Sequence, residues 1–177
     1  MKTLTLLRHA KSDWDDSVAR DFDRPLNRRG RRAARTVGQE MRAQGLVFDL
    51  ALASPALRVI ETIEEVAQGF GRLSPEYDER LYLAPAETLL EIVRGTDDGI
   101  DRLLLIGHNP GLEMLALLLA GPAGPLRGEV QAKYPTGTVA EIALPVDHWR
   151  AVDEGGGTLT RFIRPRDLDP ELGPDSE

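Results

Sequence analysis

Three short apolar runs, each ending in a loop and followed by a segment of helical periodicity, restrict this chain more than any other feature. The runs are TLTLLRH (Thr3–His9), FDLALAS (Phe48–Ser54) and DRLLLIGH (Asp101–His108). After the first, Asn27–Gln44 reads as a helix, with Ala34, Val37 and Met41 at helical spacing. After the second, PALRVIETIEEVAQGF places Ala56, Val59, Ile60, Ile63, Val66 and Ala67 on one stripe. ETLLEIVRG is a further short helix. NPGLEMLALLLAG, which follows the third run, is apolar nearly all round and reads as a buried helix. Toward the end, GTVAEIAL, HWRAVDE and TLTRFIR read as strands, the last two joined by a turn at Gly155–Gly157. GPAGPLRGE (Gly121–Glu129) reads as a loop. Such alternation predicts a three-layer α/β/α sandwich, its sheet mainly parallel with antiparallel edge strands.

The 177 residues suit one domain, expected over 1–164, and no internal repeat is visible. With 41% apolar and 29% charged residues the chain reads as an ordinary globule. No apolar stretch nears the ~20 residues of a membrane span, and the N-terminus lacks a signal-peptide pattern. The absence of cysteine excludes disulfides, thiolate nucleophiles and zinc–thiolate sites, and fits a cytoplasmic setting. The net charge of −7 is unevenly spread. From Pro165 onward five carboxylates face Arg166 alone, so the tail holds −4 and the rest only −3. This proline-punctuated acidic tail, 165–177, is expected to be disordered. Neither nucleic acid nor membrane is an expected partner.

Ligands of open α/β sheets bind beyond the carboxyl ends of the strands. The first run ends in Arg8–His9, the second in Ser54–Pro55 and the third in Gly107–His108, so two of three histidines stand at strand ends. Ser54–Pro55 and Asn109–Pro110 each read as an N-cap followed by a first helical proline. Both helices would then aim N–H groups and positive dipole ends at the site. Arg58 falls in the first turn of its helix, and Thr62 one turn on, where an orienting hydroxyl is expected. Arginines, histidines and helix N-termini together suit a dianion, and phosphate fits the guanidinium fork. Cations around His9 should depress its pKa. A neutral imidazole against a phosphoryl group is a nucleophile, and the cations would neutralise charge on the transferring oxygens.

LLRHAKSDW, SPALRVIET and GHNPGLE, in that order, resemble the histidine phosphatase superfamily, and within it the SixA-like phosphohistidine phosphatase branch. RPLNRRG and DERLY are similar to further family segments, and YPTGTVAEI is a weaker echo. The resemblance implies a phosphoglycerate mutase-like fold and a phosphatase needing no metal or other cofactor. It implies that His9 becomes phosphorylated, that Arg8 and Arg58 grip the phosphate, and that His108 hydrogen-bonds it. Ser12 and Asn109 join the phosphate-binding candidates, with Lys11 beside them. Ala10 stands where most of the superfamily has glycine, although the SixA-like branch often reads RHAKS. By resemblance to a mutase pattern, in which a glutamate precedes Arg-x-Tyr, Glu79 is the candidate general acid, with Asp78 or no dedicated acid as alternatives.

The expected substrate is phosphohistidine on a protein or a small phosphomonoester. Little room between Arg58 and His108 for a covering insertion leaves the site open to a protein surface. A mutase-like isomerase and a non-catalytic phosphate-binding module are the alternatives. Metal-dependent hydrolysis through His9 and His108 lacks a tight ligand motif such as H-E-x-x-H. Trp14 is expected to anchor its loop. The basic run Arg28, Arg29, Arg31, Arg32 and Arg35 has two readings: pairing with the aspartates at 13, 15, 16, 21 and 23, or docking of an acidic partner protein. Asn27 should cap this helix, and Gly30 should allow its first turn to pack closely.

Overall fold

Each of the three apolar runs forms a strand of one six-stranded sheet in the computed structural model, which describes residues 1–14, 20–122 and 124–173. The strands are β1 (Lys2–Arg8), β2 (Leu50–Ala53), β3 (Glu76–Tyr77), β4 (Arg102–Gly107), β5 (Val139–Leu144) and β6 (Thr158–Ile163). The helices are α1 (Arg28–Ala43), α2 (Leu57–Phe70), α3 (Ala86–Arg94), α4 (Gly111–Leu119), α5 (Leu126–Ala132) and α6 (Pro165–Leu168). Strand order is β3-β2-β4-β1-β5-β6. The first four are mutually parallel, and β5 and β6 add antiparallel at one edge. The expected three-layer α/β fold is thus observed.

Side-chain alternation divides the core. Leu4, Leu6, Leu103 and Leu105 pack with α3, α4 and α5 on one face. Leu7, Leu104 and Ile106 pack with α1 and α2 on the other. A strand buried on both faces has no solvent side to mark with polar residues, which is why β4 reads as unbroken apolar sequence.

Register makes the site. Arg8 pairs with Gly107 and Ala53 with Ile106, so the carboxyl ends of β1, β2 and β4 finish level. Two glycines let the adjoining loops close in. A Cβ at Gly30 would lie 2.1 Å from the carbonyl oxygen of Lys11, and one at Gly111 would lie 2.0 Å from that of Ala84. Asn27 caps α1 as expected, its side chain accepting from the Gly30 N–H at 2.8 Å.

Several expectations need correction. Gly121–Glu129 is not all loop, because its last four residues begin α5, which buries Val130. HWRAVDE is not a strand. Trp149–Ala151 is a 3₁₀ turn, held because the buried Trp149 indole donates to the Ile100 carbonyl at 2.7 Å and its backbone N–H is taken by Asp98. Ser54 and Asn109 are not the N-caps of α2 and α4; Ala56 and Pro110 hold those positions. The short β3 and the 3₁₀ turn Glu79–Leu81 are not evident from periodicity. The tail is ordered through Gly173: it forms α6 and a 3₁₀ turn at Pro170–Leu172, and Leu172 is buried. Residues 174–177 lie outside the described residues, as do Asp15 and Asp16 of the aspartate loop.

Candidate active site

The bond that leaves β1 decides which nitrogen of His9 is available. His9 Nδ1 sits 2.7 Å from the Ala10 carbonyl oxygen, which can only accept, so Nδ1 carries the proton. Nε2 is left as a lone pair, and Arg58 Nε donates to it at 3.4 Å. The ring is buried. Burial holds its pKa well below 6.5; the Ala10 bond opposes this, while His108, Arg58 and Arg8 add to it. The depression expected from neighbouring cations is present, but desolvation is its larger cause.

His108 follows the same logic. Arg58 Nη2 can only donate, so His108 Nδ1, 3.3 Å away, is an acceptor. Nε2–H then donates to Ser54 Oγ at 2.8 Å. That bond is why Ser54 is no ordinary cap: its hydroxyl serves His108. Burial first, and the Arg58 charge second, push the His108 pKa down to about 3. The two imidazoles lie 5.3 Å apart between centroids, and each turns a lone pair toward one guanidinium.

That guanidinium is buried and does not pair with Glu61 or Glu65 of its own helix. Those acids go to α1, Glu61 taking Arg31 and the Leu26 N–H, Glu65 taking Arg35. Arg58 instead donates from Nη1 to the Asp21 carbonyl at 2.7 Å and from Nη2 to Asp21 Oδ2 at 3.1 Å. Thr62 has the orienting place expected of it, accepting from the Ala10 N–H and donating to the Arg58 carbonyl. Arg8 donates from Nη1 to the Tyr134 carbonyl at 3.0 Å.

Asp21 is the residue that sequence reasoning missed. Its carboxylate takes Arg58, Arg24 and the Tyr82 hydroxyl, and Tyr82 lies edge-on to His108 at 5.4 Å. Burial alone would raise its pKa, but the Tyr82 bond, the Arg58 charge and the Arg24 bond outweigh it and hold the group at about 2. One of five aspartates in a short loop carries no mark of this role. Arg24, within the quoted RPLNRRG, was the available signal.

Other candidates stand apart from the convergence. Ser12 is buried, but its hydroxyl accepts from Arg24 at 2.9 Å. Asn109 shares the Tyr134 carbonyl with Arg8, and its Oδ1 accepts from the Glu113 N–H, so both ends of its amide are occupied. Glu79 is exposed and makes no hydrogen bond to His9, Arg58 or His108. Asp78 is tied to Arg80. Trp14 lies under the Arg24 guanidinium at 3.5 Å, a loop anchor. Among the described residues, no cluster of three or more His, Asp or Glu is arranged to hold a metal ion.

The family model described as Histidine phosphatase superfamily (branch 1) matches residues 4–82, the stretch that carries Arg8, His9, Asp21 and Arg58. The chain belongs to this superfamily. It is 35% identical over 164 residues to an uncharacterized protein of Mycobacterium tuberculosis, covering 90% of this chain and 100% of that one. It is 26% identical over 172 residues to the phosphohistidine phosphatase SixA of Escherichia coli, covering 92% and 94%. A solved structure ascribed to a phosphohistidine phosphatase SixA of Nakamurella multipartitia superposes with a TM-score of 0.79 at 26% identity, covering 93% and 96%. No helix among the described residues is long and apolar enough to cross a membrane.

The buried neutral histidines set a pH dependence of stability. Their folded pKa values lie below the unfolded value of about 6.5, so between the two the unfolded chain binds more protons. Stability is therefore full above that value and is lost as pH falls. For His108, with a folded value of about 3, the loss is ~1.4 kcal/mol per pH unit below 6.5. Urea midpoints should fall steadily from pH 6.5 to 4, and His108→Gln should flatten the slope. A midpoint level across that range in wild type would contradict neutral burial.

Proposed function

We propose that this chain is a phosphatase that removes phosphate from histidine on a protein, through a covalent phosphohistidine on His9. Membership of the superfamily and the likeness to SixA proteins support phosphatase activity in general terms. The observation that carries the finer reading is the His9 tautomer. A buried Nε2 lone pair, with Nδ1–H held by the Ala10 carbonyl, faces the guanidinium that would hold a phosphoryl group.

In the first step Nε2 forms a bond to phosphorus as the bond to the leaving group breaks, with Arg58 and Arg8 neutralising charge on the phosphoryl oxygens. The Nδ1–H···O=C bond stabilises the positive charge that Nε2 phosphorylation places on the ring. In the second step water attacks phosphorus, the N–P bond breaks, and His9 returns neutral as inorganic phosphate leaves. The water's proton ends on phosphate or solvent.

Leaving-group chemistry favours phosphohistidine over an alkyl ester. Among the described residues, Asp21 is the carboxylate bonded into the His9–Arg58–His108 cluster, and with a pKa of about 2 it has no proton to give near pH 7. An alkoxide needs such a proton, a requirement worth ~10²–10⁴ in rate. Imidazole, with a pKa of about 6.5, leaves neutral once its other nitrogen is protonated.

The test is kcat/KM on a phosphohistidine protein against an alkyl phosphate, in wild type and Glu79→Gln. Phosphohistidine should be preferred by ~10² or more, and Glu79→Gln should leave it within about twofold while slowing the alkyl ester if Glu79 is that substrate's acid. An alkyl ester turned over as fast as phosphohistidine would overturn the substrate assignment.

A further inference from the structure

The five arginines of α1 are badly placed for a helix considered alone. They occupy its first two turns, where the dipole is positive, and no acidic residue stands in the first turn. Arg28 and Arg32, like Arg31 and Arg35, are also like charges at i,i+4, a destabilising spacing. Such a face needs anions from elsewhere. Of the aspartates in the preceding loop, Asp21 and Asp23 are engaged elsewhere, with Arg20, Arg24 and Arg58. Helix α2 supplies Glu61 and Glu65 to Arg31 and Arg35. Arg29 and Arg32 are met by the end of the chain. Arg32 reaches Asp169 at 2.6 Å and Glu171 at 2.8 Å, and Arg29 donates to the Glu171 carbonyl at 2.7 Å.

The tail therefore shows what this face accepts: two carboxylates two residues apart, followed by an apolar residue. Leu172 is that residue, buried in a cleft with Ala33 of α1, Lys11 and the Pro135–Thr136 loop. The cleft adjoins the nucleophile's loop. Lys11 is two residues past His9, and the next residue of the other wall, Gly137, donates its N–H to the His9 carbonyl at 2.9 Å. Yet the charged part of the contact is open on one side: the Glu171 side chain is 75% and the Arg32 side chain 53% accessible, while Asp169 is 25%. Exposed ion pairs hold weakly and yield to competitors.

Resting on the reading of a protein substrate, we infer that the Arg29–Arg32 face of α1 is a docking surface for an acidic stretch of that substrate, and that Asp169–Leu172 is its internal competitor. A substrate docked there would lie along the His9 loop, presenting its phosphohistidine to the pocket. Displacing the tail would be the condition of entry.

The experiment uses the full chain and two synthetic phosphohistidine peptides that differ only downstream of the histidine, one bearing Asp-Pro-Glu-Leu and the other Asn-Pro-Gln-Leu. At low salt the acidic peptide should have the higher kcat/KM by about three- to tenfold, entirely through KM. Arg29→Gln/Arg32→Gln should erase the difference. Asp169→Asn/Glu171→Gln, which keeps Leu172, should widen it. Hydrolysis of an aryl phosphate should be unchanged in both variants, which also shows that they fold. Equal kcat/KM for the two peptides in wild type and variants would overturn the docking surface. If neither peptide is dephosphorylated while the aryl phosphate is, the substrate reading fails instead. Fluorescence anisotropy of the labelled, unphosphorylated acidic peptide then decides docking by itself: binding lost in Arg29→Gln/Arg32→Gln upholds it, and no binding to any form rejects it.

Discussion

Alanine at position 9 should leave a folded protein with no measurable turnover. The imidazole's partners are the adjoining Ala10 carbonyl and the Arg58 guanidinium, and Arg58 keeps its bonds to Asp21 and His108 when the ring is gone. The scaffold around it is set by β1 register and by the Thr62 bond to the Ala10 N–H, neither of which needs the side chain. Loss of a nucleophile typically costs on the order of 10⁴-fold or more in kcat. The arginines remain, so affinity for tungstate or vanadate should stay within about tenfold of wild type. Steady-state kinetics, a thermal melt and an inhibitor titration on the same preparation check all three statements. Turnover within tenfold of wild type would remove His9 from the chemistry.

Arg58→Ala should be nearly as damaging, for a different reason. A preorganised donor aimed at developing charge is worth ~10²–10³ in kcat, and this guanidinium also fixes both imidazole lone pairs, so a loss of ~10³ is expected. Oxyanion affinity should fall with it, unlike the result for His9→Ala. Arg58→Lys should rescue little, because an ammonium cannot bond His9, His108 and Asp21 as a fork does. A second readout is independent of activity. The Arg58 charge depresses both histidines, so its removal should move the His9 and His108 titrations upward in NMR spectra. Unmoved titrations with a tenfold or smaller loss of rate would place Arg58 outside the working site.

What the sequence made legible follows from geometry that recurs locally. Strand ends mark a crevice, so Arg8, His9 and His108 could be assembled from three apolar runs and one rule, and the pairing of Arg8 with Gly107 sets those strand ends side by side. Arg58 was readable because a helix that leaves a strand at the crevice begins there. Asp21 was not readable. The groups that single it out from its neighbours, Arg58 and Tyr82, lie 37 and 61 positions away, and no local pattern records them. Ser54 shows how a correct residue can carry a wrong role: a hydroxyl that suits an N-cap is bonded to His108 across 54 positions. The tail failed as a composition argument for the same reason. Proline and acid signal disorder only where no surface is waiting, and α1 holds one arginine, Arg32, that meets both Asp169 and Glu171 from 137 and 139 positions earlier in the chain.

The central claim is a phosphoryl group carried on His9, and rapid chemical quench measures it directly. Wild-type protein mixed with excess phosphohistidine substrate labelled on phosphorus should, within the first turnover, carry up to one label per chain. That label should be lost in acid, survive alkali, and map to the peptide containing His9. Label that survives acid, maps elsewhere, or forms equally in His9→Ala would contradict the account.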